Sequence, residues 1–239
     1  MVKIIRKALG KFIPRYIKAQ IRNFYILAFE YGQFKTIKNW ECVDKDGNPI
    51  PWYTYPAIEF LNSLDFSSKN VFEYGTGNST LWWGGRALNV VSVEHDPEWF
   101  SKIENKILKN NYSNVKLILE PEKEKYTKSI LQQDLQFDVV IIDGRWRGFC
   151  ASVIGEKLNL KDGFMIILDN SDWYPKTAEF IKEKYDAIRI DFHGFSPINS
   201  YTLTTSIFIS RNISFEFRNN FNFSVKAIKQ IAEDDEIWV

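Results

Sequence analysis

The chain has 239 residues, 45% hydrophobic and 26% charged, enough to bury one sizeable core as a single domain with extensions. A formal charge of +1 gives no global field for nucleic acid or an acidic partner. Its two cysteines, Cys42 and Cys150, lack metal spacing, exclude a disulfide framework and fit a reducing, cytoplasmic compartment. The opening Met1-Val2-Lys3-Ile4-Ile5-Arg6-Lys7 meets charge before an apolar signal core can form, and no stretch approaches the length of a membrane span.

Charge is unevenly placed along the chain. Residues 1–39 hold nine Lys/Arg and one acid, Glu30. Lys3, Lys7, Lys11, Arg15, Lys18 and Arg22 recur every three or four residues, along one face of a helix. Ile5, Leu9, Phe12, Ile13, Tyr16 and Ile17 take the other side, and Pro14 is expected to kink or divide the helix. Such a basic amphipathic extension suits peripheral contact with the inner face of an anionic membrane. It suits equally well packing on the domain or on a second copy in a homodimer, and both readings stay open.

Asn39 to Pro51 reads as a connector, with turn chemistry in Asp44-Lys45-Asp46-Gly47-Asn48-Pro49. A short helix is expected over 55–64, begun near Pro56. From Asn70 the chain alternates. Short apolar runs rich in β-branched residues predict strands at 70–74, 90–95, 115–120, 138–143 and 164–169. Amphipathic patterns predict helices near 79–88, 97–110, 123–134, 148–158 and 174–185. Two further strands, near 187–192 and 203–210, leave no room for a helix between them and so must pair antiparallel. Alternating βα units imply a parallel sheet covered on both faces.

The most specific stretch is Val71-Phe72-Glu73-Tyr74-Gly75-Thr76-Gly77-Asn78-Ser79-Thr80, an apolar strand running into an acid, two alternating glycines and residues able to start a helix. Glycines allow a tight turn and close approach of a ligand, and the helix end suits a carboxylate or phosphate. A dinucleotide fingerprint wants a third glycine where Thr80 stands. The stretch instead resembles motif I of the class I S-adenosylmethionine-dependent methyltransferases, with Ser79 where that family usually has glycine. The resemblance implies that Glu73 lies near the amino group of the cofactor's methionine part, and that Gly75, Thr76, Gly77, Asn78 and Ser79 surround it. Val90-Val91-Ser92-Val93-Glu94 reads as a second buried strand whose terminal carboxylate can accept both hydroxyls of a ribose. His95 then borders the adenosine. Five βα units closed by a β–β pair match the seven-stranded sheet of that family, α/β and mostly parallel, with an antiparallel last strand. The implied organisation is a helical extension over 1–39, a methyltransferase domain over 40–212, and a tail over 213–239 that extends the sheet or makes oligomer contacts.

Ligands of open α/β sheets bind at the carboxyl ends of the strands. After Glu73 and Glu94 those ends supply Glu120, Asp143 and Asp169-Asn170. An Asp on the fourth strand with Asp-Asn on the fifth resembles the catechol and caffeoyl-CoA type O-methyltransferases, where these side chains hold Mg²⁺ against two neighbouring substrate hydroxyls. A hard dication wants such oxygens. Helix capping or a turn by Asp169-Asn170 is the alternative, and Arg145 and Arg147 stand where that family has a basic lysine. Both arginines are suited to gripping an anionic group on the acceptor, with pairing to nearby acids as the alternative. Over this short stretch the chain also resembles the glucuronoxylan-type sugar O-methyltransferases. His193 is a candidate general base at the rim, beside Asp143. The expected activity is S-adenosylmethionine-dependent O-methylation of a small-molecule or glycan acceptor, with no nucleic acid partner. A nucleotide-dependent oxidoreductase and an inactive cofactor-binding or membrane module remain as alternatives.

Overall fold

The computed structural model describes residues 13–218. Lys3, Lys7 and Lys11, and the tail beyond 218, lie outside them. Pro14 stands just before α1 (Arg15–Tyr25) with φ −54° and ψ 148°, and its carbonyl accepts from Lys18 N at 3.2 Å. It precedes the described helix, in a place where a missing N–H costs nothing, and the expected kink or division at Pro14 involves residues outside the described ones. No residue of α1 is buried, and Tyr16, Ile21 and Phe24 are exposed. A π-helical turn, Ile26–Glu30, leads into α2 (Gln33–Asn39).

α3 (Tyr55–Ser63) has proline in its first turn, as expected. The alternating part follows: β1 (Asn70–Tyr74), α4 (Asn78–Gly84), β2 (Asn89–Glu94), α5 (Pro97–Lys109), β3 (Val115–Leu119) and α6 (Lys123–Lys128). It continues with β4 (Val139–Ile142), α7 (Arg147–Val153), β5 (Met165–Leu168), α8 (Pro175–Lys184), β6 (Ile188–Phe195) and β7 (Thr202–Ile209). The seven strands form one sheet in the order β3-β2-β1-β4-β5-β7-β6. β1 to β5 are parallel, and β7 runs antiparallel to both of its neighbours.

Three differences from the expected elements have local causes. α6 stops early and passes into a 3₁₀ turn, Ser129–Gln132, where the Ser129 hydroxyl donates back to the Tyr126 carbonyl at 2.8 Å. β6 runs on to Phe195 because β7 pairs with it along its whole length, as far as Phe195↔Thr202. The run Ile213–Phe217 does not join the sheet. It lies against the end of α3, with Asp65 N donating to Glu216 O at 2.8 Å and a single bridge Leu64↔Phe217.

Every residue of β4 and β5 is fully buried, which requires helices on both faces. Val139, Ile141, Met165 and Ile167 meet α3 and α4 on one side through Ile58, Leu61, Trp82 and Trp83. Val140, Ile142, Ile166 and Leu168 face the other side, with Tyr126, Cys150, Ala178 and Ile181. The two faces meet their tightest constraint just beyond the strands. Gly75, with φ +94°, lies so close to the loop after β4 that an added Cβ would stand 2.7 Å from Gly144 Cα. A Cβ on Gly144 would in turn collide with the Tyr126 hydroxyl. Gly77 is different: its backbone is extended, and a Cβ there would meet nothing nearer than Ser79 Oγ at 3.5 Å. We expect Gly75→Ala to lose about 3 kcal/mol of stability in denaturant unfolding, from left-handed strain and the backbone collision, and Gly77→Ala to lose less than about 1 kcal/mol.

Candidate active site

The loop from β1 into α4 is held from beneath. Glu73 is fully buried, and its Oε2 accepts from Thr80 Oγ1 at 2.5 Å and from Ser92 Oγ at 2.7 Å. Thr80 Oγ1 in turn accepts from Gly77 N at 3.0 Å, so one hydroxyl ties the glycine loop to the buried acid. Glu73 Oε1 has no partner, and burial pushes the carboxyl up to about 7. Asn78 does not cap α4. Its side chain bridges outward, donating to Cys42 O at 2.6 Å and accepting from Lys106 Nζ at 3.0 Å, while Lys106 also pairs with Glu41. The connector is thereby fastened to the loop and to α5.

Glu94, 4% exposed, is a carboxylate set in a cage of donors. Oε2 accepts from Thr76 N at 2.9 Å and Thr76 Oγ1 at 3.1 Å, and Oε1 from His95 N at 2.8 Å and Asp96 N at 2.9 Å. The His95 ring Nδ1 lies 2.6 Å from Oε1. Trp99 closes over this corner, its Nε1 donating to Thr76 O at 2.7 Å. Two cavities open here. One, about 440 Å³, is lined by Gly75, Glu94, His95, Gly144, Arg145 and Arg147 among others. A second, about 110 Å³, is walled by Trp40, Cys42, Trp52, Gly77, Ser79 and Lys102 among others. Thr76, Trp99 and Asp143 line both. Glu73 lines neither.

Asp143 follows β4 and Asp169 follows β5. Burial raises both carboxyls: that of Asp143 against the pull of Arg147, that of Asp169 well above its usual range with Asp143's charge adding to the effect. Arg147 Nη2 donates to Asp143 O at 2.8 Å and to its Oδ1 at 2.9 Å, Nε donates to Gly144 O at 3.1 Å, and Nη1 donates to Asp169 O. Asp169 Oδ1 is turned to β7, accepting from Thr205 Oγ1 at 2.5 Å. Asn170 sits in the left-handed turn conformation, φ 48°. The expected Mg²⁺ set of Asp143, Asp169 and Asn170 is a poor fit for a metal, because the Arg147 guanidinium already joins the two strand ends and holds Asp143 Oδ1, while Thr205 holds Asp169 Oδ1. Among the described residues no group of three or more His, Cys, Asp or Glu side chains is arranged to hold one.

The remaining expected residues divide. Arg145 is exposed and borders the larger cavity. His193 is not on a rim loop: it lies within the extended β6, paired with Thr204 on β7 through Nδ1 and Oγ1 at 2.7 Å, and lines neither cavity. Thr80, Trp99 and the connector residues Trp40 and Cys42 are not among the expected cofactor or acceptor contacts, whereas Arg147, expected to grip an acceptor anion or to pair with a nearby acid, pairs with Asp143. Thr80 had a local signal, a hydroxyl three residues after Gly77 and seven after Glu73.

No family model and no curated protein matches the chain. Solved structures do. Precorrin-6y C5,15-methyltransferase from Geobacter metallireducens is similar over 65% of this chain and 86% of its own, with 14% identity and a TM-score of 0.51. A Streptococcus mutans protein described provisionally as a methyltransferase, in complex with SAH, is similar over 67% of this chain and 100% of its own, with 16% identity and a TM-score of 0.50. The fold is that of the class I methyltransferases.

An rRNA methylase from Streptococcus thermophilus also aligns, over 65% of this chain and 93% of its own, with 12% identity and a TM-score of 0.48. These likenesses carry the fold alone, so the expectation of a small-molecule or glycan acceptor with nucleic acid set aside does not stand on them. Among the described residues no helix is long and apolar enough to cross a membrane.

Glu73 gives the site a pH signature. Its ordinary value is 4.5 and its buried value about 7, so between these the unfolded chain ionises while the folded chain keeps its proton. Its contribution therefore falls as pH rises from 4.5 to 7 and is level above that, by roughly 3 kcal/mol in all. Glu73→Gln should flatten this fall in unfolding midpoints measured across that window. An unchanged slope would contradict it.

Proposed function

We propose that this chain is an S-adenosylmethionine-dependent methyltransferase acting on a protic acceptor, a hydroxyl or an amine. The observation that carries the reading is the pair of cavities over the carboxyl ends of the central strands, joined at Thr76, Trp99 and Asp143. The larger has the caged Glu94 carboxylate and the size for a nucleoside; the smaller is aromatic and sits beyond Asp143. The cavity wall at Gly77 and the oxygen-rich rim of Glu94 fit the cofactor.

When bound, the cofactor supplies a methyl group already activated on a sulfonium, which leaves as a neutral thioether. The chain has the remaining tasks. Glu94 would accept the ribose hydroxyls in exchange for the Thr76 hydroxyl and the His95 ring, its backbone contacts to Thr76, His95 and Asp96 being kept. The backbone of Gly75 to Ser79 borders the methionine part, and Glu73 steadies that loop from beneath through Thr80. Trp40, Trp52 and Trp99 exclude water and align the acceptor with the methyl group, which is most of what such a transfer requires. Asp143 Oδ1 is held by Arg147, which leaves Oδ2 to take the acceptor's proton. The antiparallel β6–β7 pair and Thr80 in place of a third glycine speak against a nucleotide-dependent oxidoreductase.

Calorimetric titration of the full chain tests this. S-adenosylmethionine should bind with micromolar affinity and NADH should not. Glu94→Ala should weaken binding by about a hundredfold, the loss of two charge-assisted hydrogen bonds. Binding of NADH alone would overturn the reading. With the cofactor established, labelled methyl is followed onto cellular RNA and protein fractions.

A further inference from the structure

The cation expected between the ends of β4 and β5 is part of the chain. Arg147 opens α7, and its side chain is only 9% exposed. It reaches back over the Tyr174 ring, 4.8 Å away, to four oxygens: the carbonyls of Asp143, Gly144 and Asp169 and one carboxylate oxygen of Asp143. Four of the five N–H donors of a rigid fork are spent this way. The two strand ends it joins are those a divalent ion would bridge in a metal-dependent relative. An added dication would stand against a fixed positive charge at close range in a poorly solvated site. One oxygen of the Asp169 carboxyl is turned to β7 as well, held by Thr205, whose own oxygen accepts from Thr54 N at 3.0 Å.

We propose that the Arg147 guanidinium fills the place of the divalent cation, so that the site binds its cofactor and presents its acceptor without a metal ion. The inference rests on the methyltransferase reading and narrows the acceptor. A metal holds two neighbouring hydroxyls at once, whereas a guanidinium spent on the chain's own oxygens chelates nothing. The acceptor therefore needs no vicinal diol, and its orientation comes from the walls of the smaller cavity, Trp40, Trp52 and the Lys102 ammonium that lies 4.6 Å above the Trp99 ring.

The test is titration of the full chain with MnCl₂, and separately with S-adenosylhomocysteine in EDTA and in millimolar MgCl₂. The native chain should take up no Mn²⁺ at the strand ends, and its affinity for S-adenosylhomocysteine should be the same in both buffers. Arg147→Ala should weaken that affinity about tenfold or more, since Asp143 and Gly144 lose their charged donor. Free guanidinium ion should restore part of the loss, and MgCl₂ should not. Should Arg147→Ala lack a cooperative thermal transition, Arg147→Lys keeps the charge without the fork and should show the same weakening. The proposal is overturned by Mn²⁺ binding that Asp143→Asn abolishes, by affinity lost in EDTA and regained with MgCl₂, or by an Arg147→Ala chain that binds like the native one. A native chain that binds S-adenosylhomocysteine in neither buffer would instead overturn the cofactor reading, and the MnCl₂ titration would still decide the metal.

Discussion

Four carboxyl groups, those of Glu73, Glu94, Asp143 and Asp169, are packed at one edge of a buried sheet, where unpaired charge is costly. Each is accommodated by a different means. Glu73 is held by the hydroxyls of Thr80 and Ser92, Glu94 by backbone N–H groups, Asp143 by a guanidinium and Asp169 by Thr205. The glycine loop, the start of α4, the turn after β4 and the first residues of α7 are arranged around these contacts. Removing any one holder leaves a buried polar group unsatisfied, which costs more than the contact itself contributes.

The same contacts set the shape of the site. Because Gly75 and Gly144 nearly touch, the loops after β1 and β4 form one floor, and Asp143 stands at its edge between the two cavities. The connector then comes over the top. Asn78 and Lys106 fasten Glu41 and Cys42 beside the glycine loop, which brings Trp40 and Trp52 to the smaller cavity. The aromatic walls thus come from a segment well separated in sequence from the strands whose ends they cover.

The succession of strands and helices along the chain and the antiparallel last pair were legible because fully buried parallel strands read as unbroken apolar runs and a β–β pair without a helix has one solution. Glu94 was legible for a similar reason, as an acid closing an apolar run at a set distance from the glycines. Arg147 was legible only as a cation able to pair with a nearby acid or to grip an acceptor anion. The closeness of β4 and β5 is what shows that its other donors are spent on main-chain oxygens. His193 misled because the strand containing it was expected to end sooner, and pairing with β7 is a long-range fact. The tryptophan walls depend on the connector's path over the loop, which no local pattern records.

The central claim is that a nucleoside cofactor lies across Glu94, Thr76 and Asp143. The most direct measurement is a crystal structure of the full chain with S-adenosylhomocysteine. The account predicts the ribose hydroxyls on the Glu94 carboxylate, the adenine in the larger cavity, and the sulfur facing the Asp143 edge of the smaller one. A ligand seated elsewhere, such as the cavity between Tyr31, Tyr55 and Arg86, would contradict it, as would a crystal that takes up none at millimolar concentration.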